Sequence, residues 1–176
     1  MTLGVITDLR LFVGKELDER ELAELRLLSL RSLAREKALE ILSRRPMSRA
    51  ELRKKLLEKD IDEDTADYCV AWLAEHSLID EDAYAASIAR HYSAKGYGAR
   101  RIKTELSKRG ISREMWDEAV FSASDNSDKI RKFIASRLTD PSDRAEVGKV
   151  SQALYRRGLT WEEIRSALEQ FEAEWE

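Results

Sequence analysis

Basic side chains concentrate in one segment of the chain, residues 90–113. This segment holds eight lysines and arginines and a single acid, Glu105, whereas residues 60–82 hold nine acids and no lysine or arginine. Ammonium and guanidinium groups bind phosphates and carboxylates, so the segment could contact a polyanion or an acidic protein surface. The whole chain has a net charge of −3, so any such attraction must be local.

Candidate contact residues follow from this segment and from a related block near residue 156. If Ile102 and Leu106 face a core, the 100° step of a helix directs the basic residues of the same stretch away from it. The alternative to a binding surface is an ordinary charged helix face that contacts only water. Tyr97, between two glycines, could stack on a base, fill a partner pocket or pack on its own neighbours. The predicted partner- or DNA-binding residues are Lys95, Tyr97, Arg100, Arg101, Lys103, Lys108, Arg109, Arg113, Arg156 and Arg157.

No residues in the sequence have the spacing of a catalytic or metal site. His76 and His91 are isolated and lack cysteine or carboxylate partners at ligand spacing. The sequence has no phosphate-binding Gly-Lys-Ser/Thr loop and no Ser-His-Asp or Cys-His arrangement. Cys69 corresponds to alanine in two later copies, which indicates a small core residue. We therefore expect a non-enzymatic protein without metal or cofactor.

A six-residue block recurs along the chain and indicates a repeat array. The block LSKRGI at 106–111 returns as LYRRGL at 154–159 and, more weakly, as LLEKDI at 56–61, so the copies are offset by 48 and 50 residues. Repeat arrays typically offer an extended binding surface rather than a catalytic pocket. The function class favoured is therefore binding.

Helix-start pairs and apolar stripes predict the elements that carry these residues. Asp18 with Glu21, Ser48 with Glu51 and Thr160 with Glu163 have capping-box spacing, and Asp62 and Ser112 are further expected caps. Residues 3–13 could be a short strand or a loose arm. The third helices share inward positions: Ala66, Trp116 and Ile164; Cys69, Ala119 and Ala167; Val70, Val120 and Leu168; Leu73, Ala123 and Phe171.

The predicted organisation is all-α. An N-terminal arm and lead-in helix occupy residues 1–35, and three-helix repeats follow at 36–79, 80–124 and 125–176. The start of the chain lacks the basic leader of a signal peptide, and no stretch approaches the roughly 18 apolar residues of a membrane span. The single cysteine cannot form an internal disulfide. A cytoplasmic monomer without membrane contact is the expectation.

Three stretches resemble the RecX family, the bacterial regulators of the RecA recombinase. They are residues 42–52, 79–85 and 95–111, and the last is the most specific because it combines KGYG with a following RI…EL…KRGI frame. The resemblance covers roughly residues 36–171. Asp60 and Ser77 stand where the family tends to have glycine, and Tyr84 replaces a usual phenylalanine. We expect local backbone strain there rather than a lost repeat.

The resemblance implies both a shape and a partner. It implies tandem three-helix repeats in an elongated, curved array. It also implies binding to the RecA filament on DNA, which would limit filament growth, ATPase activity and strand exchange. Such binding could include contact with single- or double-stranded DNA. The alternative is a general DNA-binding helical repeat protein, whose affinity would fall steeply with salt.

Overall fold

A computed structural model describes residues 6–7, 12–123 and 125–175. Within these ranges the regular secondary structure is helical, which confirms the all-α prediction. The interpretation of residues 3–13 as a strand or arm falls largely outside the described residues. The helices are α1 (Glu19–Leu42), α2 (Arg49–Leu57), α3 (Glu63–Glu75), α4 (Glu81–Ser93), α5 (Ala99–Lys108), a 3-10 turn (Arg113–Met115), α6 (Trp116–Phe121), α7 (Ser127–Ala135), α8 (Arg144–Arg156) and α9 (Trp161–Trp175).

The chain divides into two compact units, Met1–Glu81 and Asp82–Glu176. In the first unit, α1, α2 and α3 pack around a core that includes Leu52, Leu56 and Leu73. Helix α1 has 24 residues and its partners only 9 and 13, so they cover part of its length. Its apolar residues are only partly buried, even along the stretch that is covered. Ala34 and Ala38 are enclosed, whereas Leu22, Leu33 and Leu39 stay exposed.

The second unit contains two three-helix groups, each with its own core. Helices α4, α5 and α6 enclose one cluster of buried residues, and α7, α8 and α9 enclose another. The predicted inward positions of the three third helices all belong to these cores or pack against them. The tandem three-helix architecture is thus confirmed, while the repeat boundaries at residues 36, 80 and 125 stay predictions. No helix of the described ranges is long and apolar enough to cross a membrane.

Most of the predicted helix caps are confirmed. The side chains of Asp18 and Ser48 accept the backbone N–H three residues on, and so does that of Thr160. The prediction for Ser112 is wrong, because its side chain makes no capping hydrogen bond. The chain there forms a 3-10 turn before α6 begins at Trp116, which replaces the expected direct helix start.

In the described part of the chain, two residues other than glycine adopt the left-handed conformation that glycine favours. Asp60 has a φ of +59° and Ser77 a φ of +54°, which confirms the expected backbone strain at both. Each follows a helix end, where a left-handed residue lets the chain turn away. Asparagine and aspartate tolerate this conformation better than serine, so the strain should be greater at Ser77.

Ser77→Gly is expected to stabilise the first unit. Glycine removes the left-handed penalty at this position, while its greater freedom in the unfolded chain offsets part of the gain, leaving about 0.5 kcal/mol. Urea unfolding followed by circular dichroism measures the change. Asp60→Gly should give a smaller gain, and a loss of stability in the Ser77 variant would contradict the assignment of strain.

Candidate partner and nucleic-acid interface

The most specific sequence motif lies at a junction inside the second unit, where the start of α5 meets the turn between α8 and α9. The Gly98 N–H donates to the Arg157 carbonyl at 3.0 Å, and the Arg100 N–H donates to the Gly158 carbonyl at 3.2 Å. A Cβ on Gly98 would lie 2.5 Å from the Gly158 oxygen. Glycine is therefore required here, because only a residue without a side chain allows the two backbones to approach so closely.

Two of the predicted contact residues hold this junction with their side chains. Arg100 donates from Nη2 to the Tyr155 carbonyl at 2.6 Å, and its guanidinium lies 3.8 Å from the centroid of the Tyr155 ring. Arg157 donates from Nη1 to the Lys95 carbonyl at 3.0 Å and lies over the Phe133 ring at 4.1 Å. Arg100 thus points away from the core of its own group, as predicted, but onto the neighbouring three-helix group. Arg157 packs on a ring of its own group and reaches across the junction through its hydrogen bond.

Tyr97 packs within the same junction. Its ring is half-buried, 5.6 Å from the Tyr92 ring and 5.2 Å from the Arg157 guanidinium. Its carbonyl accepts a hydrogen bond from Asn126 Nδ2 at 2.9 Å. The sequence left three roles open for this residue: stacking on a base, filling a partner pocket and packing on its neighbours. The structure shows contacts of the third kind.

Glu105 is a buried carboxylate surrounded by predicted contact residues. It is 5% exposed. Arg101 Nη2 lies 3.0 Å from its carboxylate, and Lys108 Nζ and Arg109 Nη1 each lie 3.1 Å away. Sequence reasoning missed this role, although the spacing of three and four residues along one helix would have predicted the pairs. Part of the positive charge of residues 90–113 is therefore neutralised internally.

The surroundings of Glu105 favour its ionised form. Burial opposes ionisation, but hydrogen bonds from Arg109, Lys108 and Tyr92 outweigh it and lower the pKa of Glu105 to about 2. Arg109 in turn hydrogen-bonds Tyr92 and Tyr84. The hydroxyl of Tyr84, which replaces a usual phenylalanine, thus gives this half-buried cation a further partner.

The remaining predicted residues face solvent. The side chains of Lys95, Arg113 and Arg156 are exposed. Lys108 keeps 59% of its side chain exposed despite its ion pair. Lys103 forms an exposed ion pair with Asp117, with Nζ and Oδ1 2.5 Å apart, and such pairs contribute little stability. Four of these cations can therefore bind an anionic partner at little cost in stability, whereas Lys108 would also have to leave the buried Glu105 carboxylate.

The predicted set thus separates into two groups with different roles. The first group maintains the junction or the Glu105 cluster and comprises Tyr97, Arg100, Arg101, Arg109 and Arg157. The second group presents positive charge to solvent and comprises Lys95, Lys103, Lys108, Arg113 and Arg156. Exposed ammonium and guanidinium groups such as these are able to bind phosphates or carboxylates.

The single cysteine is enclosed and poorly suited to nucleophilic chemistry. Burial raises the pKa of the Cys69 thiol to about 11, so the thiolate needed for nucleophilic attack is scarce at neutral pH. The side chain is fully enclosed in the core of the first unit, as predicted. Among the described residues, no group of three or more histidines, cysteines and carboxylates is arranged to hold a metal ion.

Comparison with known proteins identifies relatives over most of the chain. The family models for the first and second three-helix domains of RecX match residues 34–73 and 80–120. The regulatory protein RecX of Shigella dysenteriae serotype 1 is 32% identical over 149 residues, which cover 77% of this chain and 90% of the relative. The RecX protein of Xanthomonas citri is 33% identical over 135 residues, covering 75% and 83%.

Solved structures agree with these sequence relationships. A crystal structure of a regulatory protein RecX matches with a TM-score of 0.81 and 26% identity, covering 97% of this chain and 85% of the other. RecX from Lactobacillus salivarius matches with a TM-score of 0.74 and 26% identity, covering 83% and 99%. Sequence identity to the relatives and similarity of the helical fold lead to the same conclusion: the chain belongs to the RecX family of regulatory proteins.

Proposed function

We propose that this protein regulates a RecA recombinase by binding the RecA–DNA filament, and that it limits filament growth, ATPase activity and strand exchange without catalysing a reaction. Membership of the RecX family supports the choice of partner. The observation that carries the choice of surface is the set of solvent-facing cations Lys95, Lys103, Lys108, Arg113 and Arg156 in a chain of net charge −3.

Electrostatics favour a filament over bare DNA as the partner. The net negative charge of the chain opposes its approach to a uniform polyanion, while a local cationic surface can still meet phosphates or acidic side chains. A filament offers both kinds of group. A protein that only coated DNA would depend on counterion release, and its affinity would fall steeply with salt.

The first test is a titration of RecA ATPase activity on single-stranded DNA, beside a binding titration on the same DNA alone. We expect inhibition at protein concentrations well below those that coat bare DNA. Absence of inhibition together with salt-sensitive DNA binding would replace the proposed function with that of a general DNA-binding protein.

Neutralising exposed cations is expected to weaken the inhibition. The variant K95Q/K103Q/R113Q leaves the junction arginines and the Glu105 cluster in place, whereas changes at Arg101 or Lys108 would also remove structural contacts. The concentration needed for half-inhibition should rise roughly tenfold, and the salt dependence of binding should become shallower, because each lost phosphate contact lowers the slope.

The control for this variant carries the same change in charge elsewhere. In the first unit Arg44, Lys54 and Lys59 are exposed, and R44Q/K54Q/K59Q also removes two lysines and one arginine. It should inhibit like the unchanged protein, and helical content should be the same in all three proteins. If both triple variants inhibit RecA equally weakly, the effect comes from net charge alone, and the assigned surface is wrong.

A further inference from the structure

We propose that Trp161 is a stacking platform for a base of single-stranded nucleic acid. The inference deepens the proposed function and rests on it, because it assigns to the DNA of the filament a direct contact beyond the cationic surface. Its evidence is a three-layer stack of side chains at the corner between α8 and α9, formed by Arg100, Tyr155 and Trp161.

The layers of this stack lie in van der Waals contact. The Arg100 guanidinium lies 3.8 Å from the centroid of the Tyr155 ring, and the Trp161 ring lies 4.9 Å from it at an interplanar angle of 16°. Two groups this close to one ring cannot occupy the same face, so Tyr155 is enclosed between them. Trp161 is the outer layer, and it is 55% exposed.

The position of the outer ring is fixed before any ligand arrives. The hydrogen bond from Arg100 to the Tyr155 carbonyl holds the inner layers together across the junction. Trp161 is also the first residue of α9, whose start is held by the reciprocal hydrogen bonds between Thr160 and Glu163. A platform held in this way loses little conformational entropy when a base stacks on it.

The charges around the platform favour a nucleotide. Arg100 lies beneath the stack, and the exposed Arg156 follows Tyr155 directly. A shallow groove beside Trp161 is lined by Arg165 but also by Glu169 and Glu172, which repel phosphates. Glu162, next to Trp161, is exposed as well. We therefore expect the sugar–phosphate backbone to run on the side of Arg100 and Arg156, away from the acids of the groove.

The test compares bases with phosphates. Fluorescence anisotropy measures binding to a labelled thymidine oligonucleotide of roughly 15 nucleotides and to an abasic oligonucleotide of equal length. We expect the unchanged protein to prefer the thymidine strand about tenfold, and Trp161→Ala to lose this preference while binding the abasic strand as before, since base–aromatic stacking contributes about that much. Trp161→Phe should restore part of the preference.

Two further variants separate stacking from packing. Trp161→Leu keeps an apolar contact with Tyr155 but offers no π-face, so it should behave like Trp161→Ala if stacking matters. Phe121, which is 91% exposed, lies outside the stack, and Phe121→Ala should bind both oligonucleotides unchanged. Binding of the thymidine strand by Trp161→Leu at full strength would overturn the proposal, as would equal affinity of the unchanged protein for both strands.

The RecA assay keeps this inference distinct from the proposed function. If Trp161→Ala inhibits the RecA ATPase less but binds both oligonucleotides as before, Trp161 contacts protein and the base-stacking proposal is wrong. If the unchanged protein prefers bases but does not inhibit RecA, the platform stands and the proposed function fails.

Discussion

Gly158→Ala is expected to destabilise the second compact unit by roughly 2–4 kcal/mol, from overpacking together with left-handed strain. A Cβ at this position would lie 2.4 Å from the backbone nitrogen of Arg101 and 2.6 Å from its Cβ. The residue also has a φ of +92°. Relief of the clash requires one backbone to move, which would break the hydrogen bond from the Arg100 N–H to the Gly158 carbonyl.

Two other glycines serve as matched controls for this change. Gly148 lies within α8 and has no neighbour that an added Cβ would meet, so Gly148→Ala should stabilise the protein by about 0.5–1 kcal/mol through helix propensity. Gly14 has the same φ of +92° but open space around it, so Gly14→Ala isolates the backbone strain. Urea unfolding measures all three variants. If Gly158→Ala lowers the free energy of unfolding no more than Gly14→Ala does, the junction is not closely packed.

Under the proposed function, the junction variant should also inhibit RecA less. Movement of the α8–α9 turn relative to α5 would separate Arg100 from Tyr155, whose hydrogen bond and ring contact join positions 55 residues apart. In the RecA ATPase titration, Gly158→Ala should therefore inhibit less than Gly148→Ala at temperatures where both remain helical.

Glu105→Gln is expected to destabilise the second unit by about 2–3 kcal/mol, near the lower limit for breaking a buried ion pair. The carboxylate itself is buried, but the side chains of its partners Arg101, Lys108 and Arg109 are 40%, 59% and 27% exposed. Water can therefore solvate the cations in part when the negative charge is lost. Glu118, an exposed acid of α6, provides the control, and Glu118→Gln should change stability by no more than about 0.5 kcal/mol.

The same carboxylate makes stability depend on pH in a defined direction. The pKa of Glu105 falls from an ordinary value of 4.5 to about 2 in the folded protein, so the unfolded chain binds its proton first. The stabilisation by Glu105 is therefore complete above pH 4.5 and is lost as the pH falls toward 2. Unfolding free energies measured across this range should decline less steeply for Glu105→Gln. Parallel curves for the two proteins would contradict the lowered pKa.

Local features of the sequence predicted the helices and their cores because the responsible interactions lie within a few residues. The capping side chains of Asp18, Ser48 and Thr160 reach the N–H three positions on. The periodic apolar residues of each third helix identify the side it buries, as with Leu73 and Ile164. Ser112 was predicted wrongly because a 3-10 turn, which local spacing does not distinguish from a helix start, precedes α6.

The sequence by itself determined the helical repeat, the left-handed positions after helix ends, the family and the residues that carry positive charge. Only the tertiary structure decided which of those charges remain available to a partner. Arg100 reaches Tyr155 and Arg157 reaches Lys95 across 55 and 62 positions of chain, and no periodic pattern encodes such contacts. The physical reason is that helix periodicity specifies which side of a helix is buried against its own group, whereas the packing of one group against the next specifies what covers the other side.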